Sequence, residues 1–224
     1  MSRGAEVLNK VTHNEASLFF VIIPLLLLSW VQLVLAADIV NLSPAKGGKL
    51  PAIRLPIPKD LDERNYLGLS GEGLFRIPQI KADGVLIEVF NTYCPICQTT
   101  TAALGELYRQ IESNSDLKDR IKMIGIGVGN NDLEAMVFKQ AYNIPFPTFS
   151  DENYEIHKDL GEVRTPFFIA LKINGGHEEI VQTHLGALTD STGFLDLMLQ
   201  AYGIKQEELL IKQAGSPPSE PAPR

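Results

Sequence analysis

The stretch VLIEVFNTYCPICQTTTAALGELY, residues 85–108, contains two hydrophobic periodicities separated by two cysteines. Residues 85–90 are a short run of strand-forming side chains. From residue 99 to residue 113, apolar side chains recur at helical spacing: Leu104, Leu107, Tyr108 and Ile111. The stretch therefore predicts a strand, a turn that carries the sequence CPIC at residues 94–97, and a helix.

Cys94 and Cys97 are the only two cysteines of the chain. At a helix N-terminus, free N–H groups and a partial positive charge stabilise a thiolate, so its pKa falls below the usual ~8.5. We expect Cys94 to be exposed and nucleophilic, and Cys97 to lie within reach to resolve a mixed disulfide. Pro95 suits the first helical turn because its missing N–H costs little there.

A zinc site, a structural disulfide and a haem attachment site each fit the cysteine pair less well. A zinc site needs two further ligands, and the spacing of His157, His177 and His184 does not supply them. A structural disulfide over so short a loop contributes little, because the stabilisation grows with loop length. A haem attachment site needs histidine at position 98, which is Gln98. No metal and no cofactor are therefore expected.

Beyond this stretch, strands and helices alternate. Strands are expected at residues 121–128, 167–173 and 179–184, with the last two joined by an Asn-Gly-Gly turn, and a short helix at 151–160. Asn131 or Asp132 caps one further helix and Asp190 the last. The apolar face of the first is predicted to be Leu133, Met136, Val137 and Ala141, and that of the last Phe194, Leu197, Met198 and Tyr202. This order predicts a mixed, mostly parallel central sheet with helices on both faces.

The ends of the chain differ from its middle. Residues 18–37 carry no charge and, as a helix, would span about 30 Å, so residues 1–37 are predicted to be a signal peptide or a retained membrane anchor. Residues 38–60 are rich in proline and are expected to be an extended linker. Residues 61–203 form the predicted domain, with a β-hairpin within 61–84, and residues 204–224 are an extension and disordered tail.

Charge narrows the range of partners. The 224 residues include 20 Lys and Arg against 27 Asp and Glu, a net charge of −7. An acidic chain without a basic cluster argues against nucleic acid as a partner. Residues 1–37 contain two basic and two acidic side chains, so the negative charge belongs to the predicted domain.

Residues 85–108, the strand IKMIGIGVGNN (121–131) and the segment FPTFSDENYEIHKDLGEVRTPFFIALKINGG (146–176) together resemble thioredoxin-like, extracytoplasmic thiol–disulfide oxidoreductases of the redoxin, or TlpA-like, branch. The resemblance covers roughly residues 50–203. It implies an α/β thioredoxin-like fold, with a central mixed sheet flanked by helices, an N-terminal hydrophobic helix and a short β-hairpin extension. It also implies work outside the cytoplasm, at the periplasmic face, by an anchored or secreted protein.

The resemblance assigns roles to individual residues. Cys94 matches the nucleophile, Cys97 the resolving cysteine and Pro166 a cis-proline that faces them; the alternative for Pro166 is a trans proline that opens a strand. The backbone of Thr165 would then be free to pair with an incoming chain. Substrate contacts are expected from four residues: Tyr93, Pro95, Thr165 and Pro166.

Glu88 is a carboxylate within an apolar strand, six residues before Cys94. Burial there raises a carboxyl pKa, because the charged form loses its hydration. The resembled family has a buried acid at this offset, which implies that Glu88 accepts and donates the proton of Cys97. The alternative is that Glu88 points to an exposed face or edge of the sheet.

The resemblance implies a protein-disulfide oxidoreductase that acts on cysteine-containing proteins and receives electrons from an upstream donor. The dipeptide Pro95-Ile96 lacks the histidine of strongly oxidising relatives, which favours the reductase direction. The alternatives are a thiol peroxidase and a non-catalytic binding module. The peroxiredoxin pattern needs Pro and Thr where the chain has Ile87 and Asn91. The helix start at residues 98–101, QTTT, lacks the acidic and proline residues of cytochrome-maturation members, which argues against a dedicated role in haem attachment.

Overall fold

The computed structural model describes residues 43–204, so the predicted signal or anchor and the residues from 205 onward lie outside the described part. The strands are β1 Arg54–Pro56, β2 Leu74–Arg76, β3 Gly84–Phe90, β4 Ile121–Val128, β5 Thr148–Asp151, β6 Phe167–Asn174 and β7 His177–Leu185. The helices are α1 Leu61–Leu67, α2 Pro95–Ser113, α3 Asp132–Ala141, α4 Glu155–Asp159 and α5 Ser191–Tyr202. Between residues 43 and 204, none of the helices is long and apolar enough to cross a membrane.

The central sheet has the strand order β5-β4-β3-β6-β7. Strand β4 runs parallel to both β3 and β5, whereas the β3–β6 and β6–β7 pairs are antiparallel. The sheet is mixed as predicted, but only half of its pairings are parallel. The predicted hairpin turn joins β6 to β7, and Gly175 and Gly176 adopt the positive φ angles that a two-residue turn requires.

Strand β3 lies at the centre of the sheet, and all seven of its residues are buried. Successive side chains of a strand point to opposite faces. Leu86 and Phe90 belong to a core cluster that contains Cys97 and apolar side chains of α2 and α5. Val85 and Ile87 belong to a second cluster on the other face. Helices or short elements cover both faces, which explains why β3 is an almost continuous apolar run.

The hairpin predicted within residues 61–84 is wrong. Strand β2 pairs instead with β1, and α1 lies between them in sequence. Helix α1 forms because Asp60 accepts a hydrogen bond from the N–H of Glu63 at its start, and Gly68, with φ 66°, ends it. Part of the range predicted as linker is packed onto the sheet, since it supplies β1 and three buried side chains: Leu50, Ile53 and Leu55.

Helix α3 begins after its predicted cap, Asn131, but packs through a different face. The side chains expected to be buried are exposed: Leu133, Met136 and Val137. The buried positions are Ala135 and Phe138, and the Phe138 ring stacks on Phe90 with centroids 5.0 Å apart. One large aromatic contact therefore decides the orientation of α3. Helix α5 packs largely as predicted, although Leu197 is half exposed.

Candidate functional site

The two cysteines lie where strand β3 gives way to helix α2. Cys94 is the N-cap residue of α2, and its Sγ accepts a hydrogen bond from the N–H of Cys97 at 3.4 Å. Helix α2 begins at Pro95, as the sequence predicts. Both thiols are free, Cys94 partly exposed and Cys97 fully buried. An incoming sulfur can therefore reach Cys94 first.

The two thiols differ in acidity. Burial alone raises the pKa of Cys94, but hydrogen bonds from the Cys97 thiol and N–H and a contact with Thr165 outweigh it and leave the pKa below its usual value. Burial raises the pKa of Cys97 to about 12. Since the thiolate is the reactive form, Cys94 is suited to attack, and Cys97 needs a base before it can react.

A loop distant in sequence closes the site. The Cys94 Sγ lies 3.6 Å from the carbonyl oxygen of Thr165, 71 positions away along the chain. The Thr165–Pro166 peptide bond is cis, as the resemblance implies. Pro166 is buried, whereas three residues beside or between the cysteines are exposed: Tyr93, Pro95 and Ile96. Three of the four expected substrate contacts thus lie next to Cys94 in sequence or in space.

Glu88 is only 1% exposed, so the alternative of an exposed sheet position is wrong. It shares its face of β3 with Leu86 and Phe90, the face that packs against Cys97. Its neighbours in the sheet are Gly125 and Phe168, and within residues 43–204 its carboxyl oxygens have no hydrogen-bond partner. Burial, and secondarily the charge of Cys94, raises the pKa of Glu88 to about 8. The carboxyl group therefore titrates near neutral pH.

A polar network that the sequence does not predict holds the active-site loop on α3. Thr92 donates its N–H to Asn130 Oδ1 at 3.0 Å, and Asn130 Nδ2 donates to the Thr92 hydroxyl at 2.7 Å. The Tyr93 hydroxyl donates to Glu134 at 2.5 Å. Asn131 and Glu134 also form a capping box, whose spacing the sequence displays. The bonds to Thr92 and Tyr93 join the loop after β3 to the loop before α3 and to α3 itself, and no short sequence pattern predicts such long-range bonds.

An open cavity of about 510 Å³ lies beside Cys94. Its lining includes Tyr154, His157, Glu162 and Arg164. His157 Nε2 lies 2.9 Å from the carbonyl oxygen of Val163, so the ring is tied to the loop that precedes Thr165. Across residues 43–204, no three His, Cys, Asp or Glu side chains are grouped to hold a metal ion.

The sequence of this chain matches one protein family and several known thiol-disulfide oxidoreductases. The sequence model of the AhpC/TSA family matches residues 49–184. A thiol-disulfide oxidoreductase ResA from Halalkalibacterium halodurans is 24% identical over 122 residues, 54% of this chain and 64% of the relative. The ResA of Oceanobacillus iheyensis is 29% identical over 117 residues, 51% of this chain and 55% of the relative. The chain therefore matches less than two thirds of the length of these relatives.

Two solved structures show the fold. The thioredoxin domain of a thiol-disulfide oxidoreductase from Bacteroides vulgatus superposes with a TM-score of 0.52 and 15% identity, covering 69% of this chain and 97% of that one. A candidate thiol:disulfide interchange protein DsbE from Chlorobium tepidum gives a TM-score of 0.55 and 16% identity, covering 72% and 100%. The fold is thioredoxin-like, as the resemblance implies.

Proposed function

Because this chain belongs to the AhpC/TSA family, we propose that it is a thiol–disulfide oxidoreductase that exchanges disulfides with cysteine-containing proteins. One observation carries the proposal. A partly exposed Cys94 thiol with a lowered pKa caps α2, lies 3.6 Å from the Thr165 carbonyl and has a buried second thiol, Cys97, three residues behind it. The name thiol-disulfide oxidoreductase borne by the matching relatives supports this assignment.

The reaction proceeds in two exchanges. The Cys94 thiolate attacks a sulfur of the partner's disulfide, whose S–S bond breaks as a mixed disulfide forms, and the other partner sulfur leaves as a thiolate that takes up a proton. Cys97 then loses its proton and attacks Cys94 Sγ. The Cys94–Cys97 disulfide forms and the second partner thiol is released. Two electrons have passed from the cysteine pair to the partner.

We assign to Glu88 the role of the base that accepts the proton of Cys97. A thiol with a pKa of about 12 is almost never ionised at neutral pH, so its attack needs a base. Glu88 lies on the face of β3 that packs against Cys97, and its pKa of about 8 lets it exchange a proton near neutral pH. In the reverse reaction the protonated carboxyl returns the proton to the leaving Cys97 sulfur.

We place the protein outside the cytoplasm and assign it the reductase direction. Residues 1–37 have the pattern of a signal peptide or anchor. Pro95 and Ile96 bring no cation to the Cys94 thiolate. The reduced cysteine pair therefore lacks the extra stabilisation that the reduced form of a strongly oxidising protein has. A reductase needs an upstream dithiol donor to reduce the Cys94–Cys97 disulfide after each turnover. A redox potential near about −270 mV agrees with this direction, and one near about −120 mV contradicts it.

The test is a trapping experiment on the reduced protein with insulin as the disulfide substrate. In a Cys97→Ser variant the first exchange takes place but the second does not, so a mixed disulfide with Cys94 accumulates. The wild type reduces insulin, and no mixed disulfide accumulates. Cys94→Ser is the matched control and forms no mixed disulfide. If Cys97→Ser forms no adduct and the wild type consumes hydroperoxide but leaves insulin intact, the chain is a thiol peroxidase. If the wild type neither reduces insulin nor consumes hydroperoxide, the chain is a binding module.

A further inference from the structure

Tyr93 is an exposed aromatic residue that is fixed at both ends. Its side chain lies next to Cys94 and the residue is 70% exposed. Its N–H donates to Asn91 Oδ1 at 2.9 Å, and its hydroxyl donates to Glu134 Oε1 at 2.5 Å. An exposed side chain without such bonds samples several rotamers. Here the ring is held in one orientation beside the thiol.

The carboxylate that holds Tyr93 is itself fixed. Glu134 Oε2 accepts the N–H of Asn131 at 3.0 Å and Nδ2 of Asn130 at 3.3 Å, while the N–H of Glu134 donates to Asn131 Oδ1 at 2.9 Å. Asn130 is fully buried and bonds twice to Thr92. Glu134 therefore joins the first turn of α3 to the residue before the nucleophile by hydrogen bonds.

We propose that Glu134 is a specificity-determining positioning residue, which holds the Tyr93 ring so that it packs against an apolar side chain next to the partner's reacting cysteine. This inference rests on the proposed thiol–disulfide exchange. A tyrosine provides a large contact area, and fixing its rotamer beforehand removes the ordering cost from binding. Glu134 makes no contact with Cys94 in this network, so it affects binding of the partner and leaves the sulfur chemistry unchanged.

The test uses single turnovers of the reduced protein with two cyclic disulfide peptides, identical except for leucine or serine beside one cysteine. Tyr93→Phe keeps the ring but removes the hydroxyl, and Glu134→Ala removes its acceptor. Each variant is expected to raise the half-saturation concentration for the leucine peptide about two- to tenfold, as a lost aromatic contact does. In Glu134→Ala the limiting rate, and the rate with oxidised mercaptoethanol, stay at the wild-type values.

Two further variants separate positioning from a general structural role. The double variant Tyr93→Phe/Glu134→Ala is expected to be no worse than either single variant, since all three lack the same hydrogen bond. Glu134→Gln is expected to restore most of the affinity, because its amide can still bond both the Tyr93 hydroxyl and the N–H of Asn131.

Three results overturn the inference: additive effects of the two single changes, an equal rise in the half-saturation concentration for the serine peptide, or a loss of rate with oxidised mercaptoethanol in Glu134→Ala. Failure of the proposed function looks different. In that case the wild type reduces neither peptide nor oxidised mercaptoethanol. If the wild type is active but neither Tyr93→Phe nor Glu134→Ala changes its half-saturation concentration for the leucine peptide, the role of Glu134 alone is refuted.

Discussion

Replacing Glu88 by glutamine is expected to stabilise the reduced protein while slowing its chemistry. The carboxyl has a usual pKa of 4.5 and a pKa of about 8 in the folded protein. The folded protein therefore holds a proton that the unfolded chain releases, and its stability falls as the pH rises from about 4.5 to about 8. Within that window each pH unit lowers the free energy of unfolding by about 1.4 kcal/mol. At pH 7 the buried Glu88 therefore lowers it by about 3 kcal/mol. Glutamine has the same shape and does not titrate.

The measurement is urea unfolding of the reduced wild type and Glu88→Gln at several pH values from about 5 to 8. The free energy of unfolding of the variant should exceed that of the wild type by an amount that grows by about 2–3 kcal/mol from pH 5 to pH 7. Glu72→Gln, a change at an exposed position, is the matched control and should follow the wild type at every pH. Parallel curves for the wild type and Glu88→Gln refute the buried, titrating carboxyl.

The same variant tests the proton transfer. If Glu88 accepts the proton of Cys97, Glu88→Gln should lengthen the lifetime of the mixed disulfide at neutral pH about 100-fold or more, the usual contribution of a general base. Formation of the mixed disulfide by Cys94 should change much less. A stabilised variant with wild-type exchange kinetics would show that Glu88 is buried but takes no part in the reaction.

Two further predictions concern packing and are checked by urea unfolding. Gly84→Ala should destabilise the protein by about 1–3 kcal/mol, because the added Cβ meets the Tyr202 ring at 2.6 Å. Gly105→Ala, on an open side of α2, should instead stabilise it by up to about 1 kcal/mol, and equal effects of the two changes would contradict the packing of α5 on β3. Phe138→Ala should cost about 3–5 kcal/mol, whereas Leu133→Ala should cost under about 0.5 kcal/mol. The reverse order would mean that α3 packs through the face predicted from sequence.

Much of the fold could be predicted because its signals are local. The start of α2, the caps at Asn131 and Asp190 and the Gly175-Gly176 turn all depend on residues within a few positions of each other. The buried face of α3 could not be predicted in the same way. Its sequence offers two apolar faces, and the choice depends on the Phe90 ring, which reaches Phe138 from another element.

The pairing of β2 failed for a related reason. Residues 61–84 contain enough turn-forming glycines to suggest a hairpin, yet the capped α1 occupies the first part of that range and β2 finds its partner in β1. Strand pairing depends on which edge lies nearby once the chain has packed, and that information is not local. Proline content alone likewise did not reveal that Leu50, Ile53 and Leu55 are core residues.

By itself, the sequence determined the parts of the site that are close along the chain: two thiols one helical turn apart at the start of α2, and Glu88 within an apolar strand. Tertiary structure alone decided what surrounds them. Folding brings Thr165 to 3.6 Å from Cys94 and the Tyr93 hydroxyl to Glu134, and it removes water from Glu88 and Cys97. Residue type and helix position set which groups can react, whereas desolvation and long-range contacts set their pKa values, and these exist only after the elements have packed.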